Sequence, residues 1–73
     1  MRVEYLIKVV GVNRYYSGND RNGVPMFPHP VPEITGVPKP IVFYAYENAE
    51  KVLLELDVPL GTRLEIVKEY LFT

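Results

Sequence analysis

The sequence predicts a small α+β domain in which one helix packs on one face of a mainly antiparallel sheet of three to four strands. Two observations predict it. Apolar and polar residues alternate near both ends of the chain, at residues 2–10 and 63–72, and apolar residues recur at helical spacing within 47–57. At 73 residues the chain is one domain, 1–73, because a second domain would not fit. The predicted order is β-β-(proline-rich loop)-β-α-β, with residues 23–40 as the loop.

The first strand is predicted at residues 2–10, where one face is apolar and the other carries charge. The apolar face holds Val3, Tyr5, Ile7 and Val9, and the opposite face holds Arg2, Glu4 and Lys8. Gly11 and Asn13 provide turn chemistry, so residues 14–16 are expected to return as a second strand. A cluster of turn-forming residues at 17–23 then closes this unit.

Residues 23–40 hold six of the seven prolines of the chain. Each proline lacks a backbone donor and biases the preceding residue toward extended geometry, which makes the segment stiff without regular pairing. The segment also carries large apolar side chains, among them Met26, Phe27, Val31, Ile34 and Val37. This apolar content indicates that much of the loop lies against another surface, either its own sheet or a partner protein.

A third strand is predicted at residues 41–46, followed by a helix at 47–57 and a last strand at 63–72. The apolar stripe of the helix is formed by Ala49, Val52, Leu53 and Leu56. Either Ala45 or Asn48 caps it, and Pro59 with Gly61 ends it. Because one helix cannot cover both faces of a sheet, either the proline-rich loop or a second copy of the chain is expected to cover the remainder.

The charge and composition of the chain disfavour several classes of function. A net charge of −1 provides no basic field for a phosphate backbone, which argues against direct nucleic-acid binding. There are no cysteines, so neither a disulfide framework nor a thiolate metal site is available. We expect a soluble protein without a targeting segment, since charge and apolarity alternate in residues 1–10 and no apolar run reaches membrane-spanning length.

The motifs that resemble catalytic or metal sites are incomplete. Asp20 to Gly23 resembles the start of a calcium loop, but Val31 stands where the bidentate acid would be needed. His29 is the only histidine, and no acid or serine lies at a spacing that suggests a zinc site or a general base. The glycines form neither GxGxxG nor a phosphate loop. We therefore predict a protein without catalytic residues, cofactor or metal.

The first functional hypothesis is binding to another protein. A preformed polyproline II segment binds an aromatic groove with little entropy left to lose, and tyrosines supply large contact areas with few rotors. The predicted partner-binding residues are Phe27, His29, Val31 and Ile34 in the loop, with Tyr15, Tyr44 and Tyr46 on the sheet. Alternatively, the loop covers its own sheet.

A second hypothesis is a homo-oligomer, such as a dimer, that sequesters a small anionic ligand such as a nucleotide. An interface between copies can gather cations even when one chain lacks a phosphate motif. The predicted ligand-binding residues are Arg14, Arg21, Lys39 and Arg63.

Four segments carry a resemblance to a protein group: residues 5–8 (YLIK), 13–18 (NRYYSG), 48–53 (NAEKVL) and 64–67 (LEIV). With these, the chain resembles small proteins encoded in bacteriophage genomes. That resemblance implies stoichiometric binding to a bacterial host or defence protein, for example inhibition of a CRISPR effector. It also implies a location in the cytoplasm of an infected bacterium.

Overall fold

The structure is a computed structural model that describes residues 2–28 and 39–71. It contains strand β1 (Arg2–Val9), helix α1 (Tyr46–Glu55) and strand β2 (Leu64–Leu71). The two strands pair in antiparallel register from Arg2↔Leu71 to Val9↔Leu64, and α1 packs on one face of this sheet. The α+β class with one helix and an antiparallel sheet is therefore confirmed.

Strand β1 lies between β2 and two short segments, because these segments bond to the edge of β1 that does not face β2. Tyr5 and Phe43 exchange two backbone hydrogen bonds, at 2.8 and 2.9 Å, and Tyr16 donates to the Ile7 carbonyl at 2.8 Å. The segments predicted as strands at 14–16 and 41–46 thus contribute isolated bridges. The predicted count of three to four strands is not confirmed, because Gly18 turns the chain after one segment and α1 already begins at Tyr46 in the other.

The turn-forming cluster closes a small hairpin within residues 17–26. Met26 donates to the Gly18 carbonyl at 2.8 Å across this hairpin. At its tip the Asp20 carboxylate accepts hydrogen bonds from the amides of Asn22 and Val24 at 2.8 and 3.0 Å. Gly23 has a φ of 81°, which glycine adopts without strain. The first residues of the proline-rich segment consequently belong to this hairpin.

Helix α1 begins one residue earlier than predicted and ends two residues sooner. Ala45 occupies the N-cap position without a side-chain hydrogen bond, and Asn48 lies inside the helix rather than capping it. Ala49, the first residue of the predicted stripe, is fully buried, and the other members of the stripe are half-buried. The helix is thus held by packing, since neither end has a side-chain cap among the described contacts.

The core includes Ile7 and Ala49, which are fully buried between β1 and α1, and Leu6 and Tyr16, which are nearly so. The charged face of β1 also contributes to the interior. Glu4 is only 8% exposed, and its carboxylate accepts a hydrogen bond from Arg2 Nη2 at 2.8 Å. The paired cation offsets part of the desolvation cost of this carboxylate. Because Leu6 shares the Glu4 face, one copy of the chain already covers both faces of β1 at their centre.

Candidate functional site

The predicted loop anchors are only partly described. Phe27 is half-buried, and its ring lies 5.8 Å from the Tyr16 ring, centroid to centroid. The beginning of the proline-rich segment therefore packs against its own domain. His29, Val31 and Ile34 lie outside the described residues, so partner contact through them stays a prediction.

The three predicted tyrosines do not form one surface. Tyr15 pairs with Lys8 and so shares the face of β1 that carries Glu4. Tyr44 is 66% exposed, and Arg2 Cζ lies 5.7 Å from the centre of the Tyr44 ring. Tyr46 belongs to α1 and makes an edge-to-face contact with Tyr5, at 5.8 Å between centroids. Two tyrosines thus lie on one side of the sheet and the third on the helix side.

The outer edge of β2 has no backbone partner among the described residues. The backbone groups of Tyr5, Ile7 and Val9 bond toward residues 14–16 and 43, so antiparallel alternation turns the even-numbered residues of β1 toward β2. Their partners on β2 are odd-numbered, beginning with Glu65 opposite Lys8. The even-numbered residues of β2 therefore direct their amide and carbonyl groups outward. These residues are Leu64, Ile66, Lys68 and Tyr70.

A groove of about 360 Å³ runs beside this edge, between β2 and α1. Tyr46 and Leu54 form its helical side and remain 47% and 78% exposed. The groove is lined by Tyr46, Glu50, Leu53, Leu54, Leu64, Glu65 and Ile66. Glu65 lines it although strand alternation directs the Glu65 side chain to the opposite face of the sheet. Leu54 is adjacent to Leu53 but does not belong to the predicted stripe. The helix therefore presents apolar surface to solvent next to the open edge.

The two faces of β2 carry different charges. Glu65 and Glu69 lie on the face away from α1 and are both exposed, and Lys8 Nζ contacts a Glu65 carboxylate oxygen at 3.5 Å. On the helix face, Lys68 Nζ lies 5.1 Å from the centre of the Tyr70 ring. A hydrogen bond with Tyr70, aided by the charges of Tyr70 and Tyr5, raises the pKa of Lys68.

A second, larger cavity of about 660 Å³ lies between the 17–26 hairpin, the turn after β1 and the segment after α1. Its walls are mainly apolar, with Val9, Val24, Phe27 and Val58 among them. Of the four predicted ligand-binding cations, Arg14 lines this cavity. The other three, Arg21, Lys39 and Arg63, are exposed and do not line it. The structure does not bring the four cations together there.

Within residues 2–28 and 39–71, no group of three or more acidic or histidine side chains could hold a metal ion. In the same ranges, no helix combines the length and the apolar character needed to cross a bilayer.

No protein-family model, curated protein or solved structure matches this chain. The residues that line the edge and groove, chiefly Leu54, Ile66, Glu65 and Glu69, were not among the binding residues predicted from the sequence. The alternation at residues 64–67 contained the relevant signal, but alternation alone does not tell an edge strand from an inner one.

Proposed function

We propose that this chain is a non-enzymatic protein-binding module that acts by occupying the surface of a larger protein. The observation that supports the proposal most is the outer edge of β2, an eight-residue strand whose outward backbone groups have no partner among the described residues. An exposed strand edge is a template for pairing with another chain. The groove beside it adds apolar side chains, among them Leu54.

The partner in this proposal is a bacterial host or defence protein, such as a CRISPR effector, and the outcome is stoichiometric inhibition in the bacterial cytoplasm. This part rests on the resemblance to small bacteriophage-encoded proteins. The proline-rich segment has an auxiliary role in the proposal. Phe27 is held against Tyr16 at its start. His29, Val31 and Ile34, which lie outside the described residues, are its predicted partner contacts.

Capture from bacterial lysate with two matched leucine variants tests the proposal. Leu54 and Leu60 are exposed by 78% and 106%, but only Leu54 lines the groove. Leu54→Arg should abolish retention of a protein that the wild-type chain retains near one-to-one stoichiometry. Leu60→Arg should preserve it, and both variants should keep the wild-type thermal midpoint because surface changes cost little stability. Absence of any near-stoichiometric protein would overturn the proposal.

The 660 Å³ cavity favours a second function, the binding of a small ligand. Its size is typical of small-molecule pockets, and Arg14 provides one cation for an anionic group at its wall. Asp57 lines the same cavity and disfavours a highly charged anion such as a nucleotide. This site lies within one chain, so it does not require an oligomer. A thermal-shift comparison of wild type with Arg14→Gln would test it: stabilisation by small anions that the variant lacks supports the site, and equal responses contradict it.

A further inference from the structure

We infer that β2 accepts an extended segment of the partner as an added antiparallel strand, in which apolar residues alternate with basic residues. This inference rests on the proposed protein-binding function and specifies the chemistry of the bound segment. It follows from three independent features of the β2 edge: the direction of its backbone groups, the apolar groove on one face and the carboxylates on the other.

The backbone groups determine which residues of the added strand bond to β2. Ile66 and Lys68 direct their amide and carbonyl groups outward, as antiparallel alternation requires. In an added antiparallel strand, the residues directly opposite these two exchange both hydrogen bonds with them. Paired residues also share a face of the sheet. The residues of the partner that bond to β2 therefore place their side chains on the α1 face.

The α1 face selects apolar side chains at these positions. Leu64 and Ile66 of β2, with Leu53 and Leu54 of α1, line the groove that the partner's side chains would enter. Leu54 is 78% exposed in the free chain, so burying it under an added strand removes apolar area from water. In recognition by strand addition, the backbone hydrogen bonds supply affinity, and pockets for every second side chain supply selectivity.

The opposite face selects basic side chains. Glu65 and Glu69 lie on this face, four residues apart, and both are exposed. Glu69 stands directly opposite Glu4 on β1, whose carboxylate is already paired with Arg2, so the residue directly across the pair offers Glu69 no cation. A lysine or arginine of the added strand opposite Glu69 would place a cation beside it. Like charges directly opposite one another are destabilising, and opposite charges are favourable.

The same charges disfavour a second copy of β2 as the occupant. Residues that pair across antiparallel strands lie on the same face, so any β2–β2 register places Glu65 and Glu69 of both copies on one face. The described side chains of β2 on that face are those of Glu65, Val67 and Glu69, and none of them is basic. Self-pairing therefore concentrates four carboxylates, whereas a foreign basic strand neutralises them.

The test uses the full chain and labelled seven-residue peptides that alternate lysine and valine, monitored by fluorescence anisotropy. The lysine/valine peptide should bind. A peptide with glutamate in place of every lysine should bind at least about tenfold more weakly, because two attractive pairs become repulsive. Equal binding of the two peptides would overturn the assignment of basic positions.

N-methylation of the peptide tests the strand pairing itself. Methyl groups on the valine nitrogens remove the donors that face β2 and should abolish binding. Methyl groups on the lysine nitrogens point away from β2 and should change the affinity by less than about twofold. Equal effects of the two methylation patterns, or the opposite order, would overturn the antiparallel addition.

Two glutamate variants locate the peptide on the protein. Glu69→Gln should weaken the lysine/valine peptide by about threefold, since an exposed ion pair contributes modestly. Glu55→Gln changes a glutamate that is also exposed but does not line the groove, and the affinity should stay unchanged. If no peptide binds but lysate capture still depends on Leu54, the strand-addition inference fails and the protein-binding function stands. If lysate capture fails as well, both fail.

Discussion

The two edges of the small sheet are treated differently by the rest of the chain. The edge of β1 is closed by Tyr16 and Phe43, which bond to it at 2.8 and 2.9 Å although neither belongs to a regular strand. The edge of β2 has the same length of eight residues, yet the described residues place no backbone partner on it. Segments outside the regular strands thus cover the free edge of β1, whereas the outer edge of β2 stays open among the described residues.

This difference shows how a chain of this size divides its residues between stability and binding. The backbone bonds to β1 bring Tyr16 into the core and hold the half-buried Phe43 beside Tyr5, where both add buried apolar area. On β2, Lys68 and Glu69 place charge on the open edge, which is a common protection against self-association. An edge protected by charge still accepts a strand whose charges complement it.

Two proline substitutions on β2 should distinguish its paired edge from its open edge, and the first should give the largest loss of stability predicted here. The amide of Val67 faces β1, so Val67→Pro removes a ladder bond and should lower the free energy of unfolding by about 3 kcal/mol. The amide of Lys68 faces outward, so Lys68→Pro should cost less than about 1 kcal/mol. Urea denaturation of the two variants and the wild type would measure both values.

The same proline pair has a built-in control, because the two positions are neighbours in one strand. A general intolerance of proline in β2 would add the same cost to both variants and would leave the difference between them unchanged. Similar losses at Val67 and Lys68 would therefore mean that the outer edge of β2 is paired, which contradicts an open edge.

The smallest predicted effect concerns Lys68, whose side chain is exposed on the open edge beside Tyr70. A hydrogen bond with Tyr70 raises the pKa of Lys68 above its ordinary value of 10.5. The folded chain consequently holds this proton more tightly, so the stabilisation is complete below pH 10.5 and is lost as the pH rises through the folded-state pKa. NMR titration should show that Tyr70→Phe moves the pKa back toward 10.5; an unchanged value would contradict the contact.

The sequence predicted the elements whose pattern is local. The alternation in residues 2–10 and 63–72 and the helical stripe around Ala49 correspond to β1, β2 and α1 within one or two residues. The turn at Asp20 was also predictable, since aspartate and glycine favour that geometry. These features depend on neighbours within a few positions.

The remaining features depend on contacts distant in sequence. Glu4 is buried because it pairs with Arg2 and because the second face of β1 is covered. A polar residue in an alternating strand indicates neither feature. The segments at 14–16 and 41–46 have the composition of strands, but each makes only a bridge to β1. The open edge of β2 follows from strand order, which alternation does not encode. The binding residues predicted from the sequence were therefore tyrosines and residues of the proline-rich loop, and none of them belongs to β2.

Hydrogen exchange of the β2 amides in the free chain, followed by NMR, tests the open edge most directly. An open edge predicts an alternating pattern, in which the amides of Glu65, Val67 and Glu69 exchange slowly because they face β1. The amides of Ile66 and Lys68 should exchange quickly because they face outward. Uniform slow exchange along β2 would mean that both sides of the strand are paired, and it would contradict the claim that this edge is available to a partner.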